Sequence, residues 1–153
     1  MTTQLSQHFT LEELTFSQVA ARRGLDNAPH ADDVENLTRL CETLLEPARI
    51  IVAAPLHVDS GFRSPAVNGA VGGAPGSAHL VGRAADLVPI GMPVLDAFNV
   101  LRSNGLPFDQ LIFECQAWIH IAIAPSGQEP RRQVLLASGY AGHWTYYPEG
   151  ATP

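Results

Sequence analysis

Apolar residues recur at helical spacing through the first third of the chain. Between Ala31 and Arg49 they return every three or four positions, which predicts one long helix with an apolar stripe against the core. Pro47 lies near the end of this stretch and lacks an amide hydrogen. We therefore expect Pro47 to bend or end the helix unless its last turn is irregular.

Two shorter helices are predicted ahead of the long one. Thr10-x-x-Glu13 and Thr15-x-x-Gln18 are both capping-box patterns, in which a hydroxyl and a carboxylate or amide satisfy the first amides of a helix. Gly24 would end the second of these helices.

Strand-length apolar runs follow. Residues 50–52 are predicted to end the long helix and residues 56–58 to form the first strand, with Pro55 between them. Helical spacing returns from Pro93 to Asn104, and Gln133 to Ala137 resemble a further strand.

Phe108 to Ala124 form a predicted hairpin, because two apolar runs flank the short polar break Cys115 to Ala117. Isoleucines alternate with other residues in the second run, so they face the core and His120 faces the other way. A three-residue loop would pair Glu114 with Trp118 and place both on the face of His120. A two-residue loop would turn Glu114 away.

The pattern predicts an α+β fold with a small antiparallel sheet and N-terminal helices packed on one side. A length of 153 residues, 46% hydrophobic and 16% charged, suits a single soluble domain over residues 1–153. The 9 basic and 15 acidic residues give a net charge of -6, which argues against a general nucleic-acid binder. No stretch approaches a membrane span, and we expect a monomer with no membrane insertion.

The candidate chemistry lies in SAHLVGRAAD, residues 77–86, where His79 and Asp86 stand seven positions apart. Imidazole and carboxylate are two of the ligand types that zinc accepts. The spacing is too long for the helical HExxH arrangement, so we expect a loop that turns at Gly82 into a strand. His120 faces where a third ligand could lie. The alternative is a loop carboxylate capped by backbone amides, with His79 at the surface.

Ser77-x-His79-x-x-Gly82-x-Ala84-x-Asp86 with Trp118-x-His120 resembles the zinc D-alanyl-D-alanine carboxypeptidase and endopeptidase family, the M15 peptidases, which includes phage endolysins. The resemblance extends to residues 8–14, 24–27 and 60–64. It implies a hedgehog-like or DD-peptidase-like fold in which His79, Asp86 and His120 bind Zn²⁺ and leave the fourth position to water.

The same resemblance implies a function in which the partner is the stem peptide of bacterial peptidoglycan, bound by Arg63 and Ser77. Glu114 is the candidate general base, since Ala117 and Trp118 stand where many relatives carry a catalytic His or Glu. The N-terminus shows no signal-peptide pattern. The expected setting is therefore a phage or prophage endolysin made in the bacterial cytoplasm and released to the wall through a membrane pore.

Several alternatives remain open at this point. Arg63 could pair with a protein carboxylate instead of substrate. The domain could be a non-catalytic zinc-containing module that binds wall peptide, or a zinc-stabilised structural protein whose fourth ligand is His57 or Cys115. Both Cys41 and Cys115 are expected to be buried free thiols, with a bridge between them as the other option.

Three further segments have weaker patterns. Residues 68–76 are expected to form a flexible glycine-rich rim without regular structure, and Asp109 and Gln110 to orient a ligating histidine. Arg131 and Arg132 resemble a solvated charge pair. The aromatic tail could line a groove, or pack over a sheet edge; its members are Tyr140, His143, Trp144, Tyr146 and Tyr147.

Overall fold

A computed structural model describes residues 1–140 and 143–148. Its helices are α1 (Leu11–Thr15), α2 (Gln18–Arg23), α3 (Ala31–Leu40), α4 (Glu46–Val52), α5 (Pro65–Ala70) and α6 (Val94–Ser103). Its strands are β1 (Leu56–Ser60), β2 (Ala84–Pro89), β3 (Gln110–Glu114), β4 (Trp118–Ala122), β5 (Gln133–Tyr140) and β6 (His143–Pro148). A π-helical turn, Cys41–Leu45, joins α3 to α4, and a 3-10 helix, Ala78–Val81, precedes β2.

The six strands form one sheet in the order β1-β2-β4-β3-β5-β6, which confirms the α+β class. Every pairing is antiparallel except that of β3 with β5, so the sheet is mostly antiparallel, as expected. The parallel pairing follows from the path of the chain: β4 ends level with the start of β3, since Ala122 pairs with Gln110. A strand placed directly after it on the other side of β3 must therefore run in the direction of β3.

One face of the sheet packs against the helices. Leu37, Leu40 and Leu44 from the long helical segment are fully buried and share a core cluster with Ile119 and Ile121 of β4. These helices pack on that face alone. Asp86 of β2 and His120 of β4 lie on the opposite face of the sheet. The alternation of side chains along β2 and β4 thus separates a packing face from a chemical face.

The first predicted helix start is confirmed and the second is wrong. Thr10 caps α1, with Glu13 completing the capping box. The cap of α2 is Ser17, whose hydroxyl accepts the Ala20 amide at 3.2 Å. Thr15 is the last residue of α1, and its hydroxyl donates to the Leu11 carbonyl instead.

The long helix continues past Arg49 to Val52 instead of breaking at Pro47. In the π-helical turn the Glu46 amide bonds to the Cys41 carbonyl five residues back, and Pro47 then falls in the first turn of α4. Proline is tolerated in a first turn, where its missing amide has no helical acceptor to satisfy. The irregular turn is therefore what accommodates the proline.

Both cysteines are free thiols. Cys41 is fully buried as expected, and burial, aided by the charge of Glu46, raises the pKa of its thiol to about 12. Cys115 is only half-buried, contrary to the expectation, because it lies in the exposed hairpin loop. Its thiol donates to the Gly139 carbonyl at 3.2 Å.

The hairpin register is confirmed. Glu114 pairs with Trp118 and Ile112 with His120, around the three-residue loop. The loop turns through positive φ at Cys115 (51°) and Gln116 (56°). The register places the Glu114 and His120 side chains on the same face of the sheet.

The segment 68–76 is partly regular, so the expectation of no structure is wrong for its first three residues. Ser64 caps α5 and Pro65 opens it, and the helix extends through Asn68 and Gly69 to Ala70. The predictions for α6 and for β5 are confirmed, although β5 extends to Tyr140. Within residues 1–140 and 143–148, no helix has the length and apolar character needed to cross a bilayer.

Candidate metal centre

Three buried side chains converge on the chemical face of the sheet. His79 Nε2 lies 3.2 Å from Asp86 Oδ1 and 3.2 Å from His120 Nδ1, and His120 Nδ1 lies 3.0 Å from the same Asp86 oxygen. Asp86 and His120 are directly paired across β2 and β4. His79 reaches them from the 3-10 helix. The alternative of a surface His79 is wrong, since this residue is 2% exposed.

The backbone fixes the orientation of His79. Its Nδ1 lies 2.6 Å from the carbonyl oxygen of Gly61, so it donates there and leaves Nε2 facing Asp86. Gly82 ends the 3-10 helix at φ +69°, and a Cβ there would lie 2.5 Å from the Asp33 carbonyl oxygen. Glycine is therefore required where the chain turns from His79 into β2.

Arg63 holds the second oxygen of Asp86. Its Nη2 donates to Asp86 Oδ2 at 2.8 Å, while Nε donates to Ser60 Oγ at 2.9 Å and Nη1 to Asn68 Oδ1 at 3.4 Å. This is the protein-carboxylate pairing that the sequence left open. Arg63 also lines the cleft above the three side chains, where its role toward a substrate stays a prediction.

Electrostatics favour the ligand forms of Asp86 and His79. Burial raises the pKa of the Asp86 carboxyl, but the charge of His79 and hydrogen bonds from both histidines outweigh burial and hold this pKa far below its ordinary value. Burial lowers the pKa of His79 and so favours its neutral form. Burial also acts to lower the pKa of His120, but hydrogen bonding and charge from Asp86 raise it overall. Ionised carboxylate and neutral imidazole are the forms that bind metal.

The donor set fits zinc. One ligand atom from each of His79, Asp86 and His120 lies within 4.8 Å of the others, and all three residues are buried. Two imidazole nitrogens and one carboxylate oxygen are characteristic of zinc sites that keep a further position for water or substrate. These three residues could hold a metal ion where they lie in the structure.

Glu114 is buried beside this group. It is 9% exposed, lines the same cleft and accepts a hydrogen bond from Trp118 Nε1 at 2.9 Å. Burial raises the pKa of Glu114, and the negative charge of Asp86 adds to the rise. A carboxyl with an elevated pKa is suited to accept and return a proton near neutral pH.

A family model for Peptidase M15 matches residues 7–122. The chain belongs to the Peptidase M15 family. The match covers every residue of the candidate metal centre and ends at the last residue of β4. No match is found among curated proteins. Membership in Peptidase M15 supports a metallopeptidase and agrees with a metal-binding group of two histidines and an aspartate.

The cleft of this M15 domain has a volume of about 740 Å³. Ser77 lies at its rim, and its hydroxyl accepts the His79 amide at 3.3 Å, so it also caps the 3-10 helix. Tyr146 of β6 lines the cleft, as the groove interpretation of the aromatic tail expected. The side chains of Tyr140, His143 and Trp144 lie outside what the structure describes.

Two candidates for a closed four-ligand site lie elsewhere. His57 is exposed on β1 and faces Asp59 at 3.6 Å, and Cys115 bonds to Gly139. Within the described part of the chain, neither joins the metal-binding group. Neither His57 nor Cys115 therefore supplies the fourth ligand that the alternative of a closed structural zinc site requires.

The expected roles of Asp109 and Gln110 are wrong. Asp109 accepts hydrogen bonds from the amide, Nε and Nη2 of Arg131, at 2.7 to 3.1 Å, and Gln110 donates to Gln133 at 2.7 Å. Neither touches a histidine of the metal group in the described structure. Arg131 is accordingly an ion-pair partner at the cleft, and Arg131 and Arg132 are both exposed, as expected for solvated charges.

The sequence missed the residues that brace the site. Asn68 is buried and donates to the Ala74 carbonyl at 2.9 Å while accepting from Arg63. Asn27 donates to the carbonyls of Thr15 and Phe62 and accepts the Ser64 amide, which ties the loop carrying Arg63 to the N-terminal helices. Asn27 follows the Gly24 that ends α2 and Asn68 lies within α5, and neither is part of a sequence pattern that indicates this role.

Proposed function

We propose that this chain is a zinc-dependent peptidase that hydrolyses an amide bond in the stem peptide or cross-link of bacterial peptidoglycan. The observation that carries the proposal is the position of Glu114. A buried carboxylate with a raised pKa lines the same cleft as a His, Asp, His group, in a chain that belongs to the Peptidase M15 family.

In this proposal His79, Asp86 and His120 hold the metal, and Arg63 and Gly61 hold Asp86 and His79 in place. A bound zinc ion supplies Lewis-acid activation of water and of the scissile carbonyl. Glu114 takes the proton of the attacking water and returns it to the leaving amine. Ser77, at the rim, donates its hydroxyl hydrogen to the substrate backbone, because its oxygen already accepts the His79 amide.

The proposed setting is that of a phage or prophage endolysin acting as a monomer on the cell wall. The support is the resemblance of the metal motif to single-domain members of that kind. The competing proposal, a non-catalytic module that binds wall peptide, would need no general base. The burial of Glu114 against Trp118 beside the metal group favours the enzyme.

The test is mass spectrometry of fragments released from purified peptidoglycan by wild type, by wild type with a chelator, and by Glu114→Gln. We expect new stem-peptide products from metal-replete wild type, none with the chelator, and a rate about 10² to 10⁴ times lower for Glu114→Gln. The masses of the products name the bond that is cut.

Glu35→Gln is the matched control, because it makes the same chemical change at an exposed position on α3. Zinc content should be equal in all three proteins. Hydrolysis by Glu114→Gln at the wild-type rate would remove Glu114 from the mechanism. Retention of the protein on the wall without any product would instead support the binding module.

A further inference from the structure

The floor of the cleft is ordered in rows across neighbouring strands. The row at the metal group contains Asp86, His120, Ile112 and Leu135. The next row along the strands contains Ala122, Gln110 and Gln133. Two residues of strand separate these rows, or about 7 Å. The cleft therefore extends along the strands and away from the metal group.

The second row is uncharged, with one small residue and two amides. Ala122 leaves space above β4, and the amide of Gln110 donates to that of Gln133 at 2.7 Å. Such a surface can accept the main chain of an extended peptide, which carries one donor and one acceptor per residue. It offers no charge that would select a particular side chain.

Beyond that row lies what we call the far end of the cleft, formed by Arg83, Asp109 and Arg131. The Asp109 amide donates to the Ala122 carbonyl at 2.8 Å, which fixes this end to β4. Both carboxylate oxygens of Asp109 accept from the Arg131 guanidinium. The charge of Arg131 is thereby largely compensated.

Arg83 has no such partner. It lines the cleft and is half-buried, and its guanidinium forms neither a hydrogen bond nor an ion pair with any residue in the described ranges 1–140 and 143–148. Its charged neighbours are Asp109, Arg39 and Arg131, of which Arg39 lies outside the cleft, so two arginines and one carboxylate line this end. In a chain of net charge -6, this is a local excess of positive charge inside a cleft, where it acts over a larger distance than at an open surface.

We propose that Arg83 binds a carboxylate of the substrate peptide and so selects an acidic peptide. A guanidinium matches a carboxylate with two parallel hydrogen bonds. Arg83 directly precedes β2 and lies beyond the second row, which is about 7 Å along the strands from the metal group, and an extended peptide advances about 3.3 Å per residue. The carboxylate is therefore more than two residues from the bond that is cut. The inference rests on the proposed function, because it assumes a peptide at the metal group.

The experiment compares two versions of a soluble peptidoglycan stem peptide. One carries the free α-carboxylate of D-glutamate and the other carries a carboxamide there, and kcat/KM is measured for both with wild type and Arg83→Gln. A second pair of peptides carries either a free carboxylate or a carboxamide on the diamino acid of the stem peptide. We expect wild type to prefer one carboxylate peptide over its amide by about 10- to 100-fold, the effect of one charged hydrogen bond. Arg83→Gln should reduce that ratio to about one.

The ratio of the two kcat/KM values is the readout, so a general loss of activity in the variant cancels. Arg22→Gln removes the same charge from exposed helix α2, outside the cleft, and should keep the wild-type ratio. Arg83→Lys keeps the charge without the planar fork and should restore part of the preference.

Three results would count against the inference. Equal hydrolysis of acid and amide peptides by wild type would remove it while leaving the proposed function intact. An unchanged preference in Arg83→Gln would assign the selection to another residue. Absence of hydrolysis of all four peptides, with intact peptidoglycan also uncut, would remove the proposed function and this inference with it.

Discussion

The metal group and the far end of the cleft are built on opposite principles, although they share the same strands. At the metal group the side chains are buried and two of them are held by protein partners: Gly61 holds His79, and Arg63 holds Asp86. At the far end, Arg131 is 60% exposed on its side chain and Arg83 has no hydrogen-bond partner among the described residues.

The difference shows where rigidity is needed. A metal tolerates little error in the position of its ligands, so the residues behind them are fixed as well. A peptide cleft must admit and release a ligand, and its exposed charges remain available. The match to Peptidase M15 includes the whole metal group as well as Arg83 and Asp109 of the far end, and it ends before Arg131 and β5.

The largest effect should come from removing the shared carboxylate of the metal group. Asp86→Ala deletes one proposed ligand and leaves Arg63 buried without its partner. We expect the metal to be lost on dialysis and the rate to fall by about 10³-fold or more, since a metal contributes several kcal/mol to such a reaction. Elemental analysis of dialysed protein, alongside the peptidoglycan assay, measures both changes.

Asp59→Ala is the control for this prediction, because Asp59 is an exposed carboxylate on β1 beside His57. It should retain zinc and activity. Full zinc content in Asp86→Ala would show that the metal, where bound, does not depend on this carboxylate.

A smaller effect is expected from Arg63→Lys, which keeps the positive charge at the metal group and removes the planar guanidinium. Lysine cannot donate to Asp86, Ser60 and Asn68 at once. We expect zinc affinity to fall about 10- to 100-fold, as for other residues that hold a metal ligand in place. Competition with a chromophoric chelator measures the affinity. An unchanged affinity would confine Arg63 to substrate binding.

The smallest effect is expected at the far end. Hydrogen bonds from Arg131 hold the pKa of the Asp109 carboxyl below its ordinary value of 3.8, so the folded state binds this proton less readily than the unfolded chain. The resulting stability is present above about pH 4 and is lost as the pH falls through the folded pKa. Asp109→Asn should therefore be about 1 kcal/mol less stable near pH 6, because Arg131 is largely exposed.

Urea unfolding of wild type and Asp109→Asn across the acid range measures this dependence. The difference in the free energy of unfolding should shrink below about pH 4. A difference that stays constant down to about pH 2 would mean that packing, not charge, connects Asp109 to Arg131.

The sequence allowed the metal group to be predicted because its information is local. Strand alternation set the direction of His120, and the length of one loop set the position of Glu114. The support around these residues was not predictable in the same way. The Gly61 carbonyl carries no side-chain signal, and the partner of Asp109 lies 22 residues away on a segment positioned by the parallel pairing of β5.

Local patterns were also misleading. Thr15-x-x-Gln18 fits a helix start, but Thr15 is the last residue of α1, so the cap of α2 is Ser17. Pro47 was expected to bend or end the helix unless its last turn was irregular, and the π-helical turn is an irregularity that the sequence does not reveal. In each case the neighbouring backbone, which is a product of packing, decided the outcome.

The contrast between the two thiols means that a fluorescent label can be attached selectively to one cysteine. Alkylating dyes react with thiolates, and Cys41 is both fully buried and held in its protonated form by a pKa of about 12. Cys115 lies at the hairpin tip, directly after Glu114 in the chain. A fluorophore introduced by simple labelling of the unaltered chain would attach there, within reach of the cleft mouth, and would signal the arrival of a ligand without any engineered position.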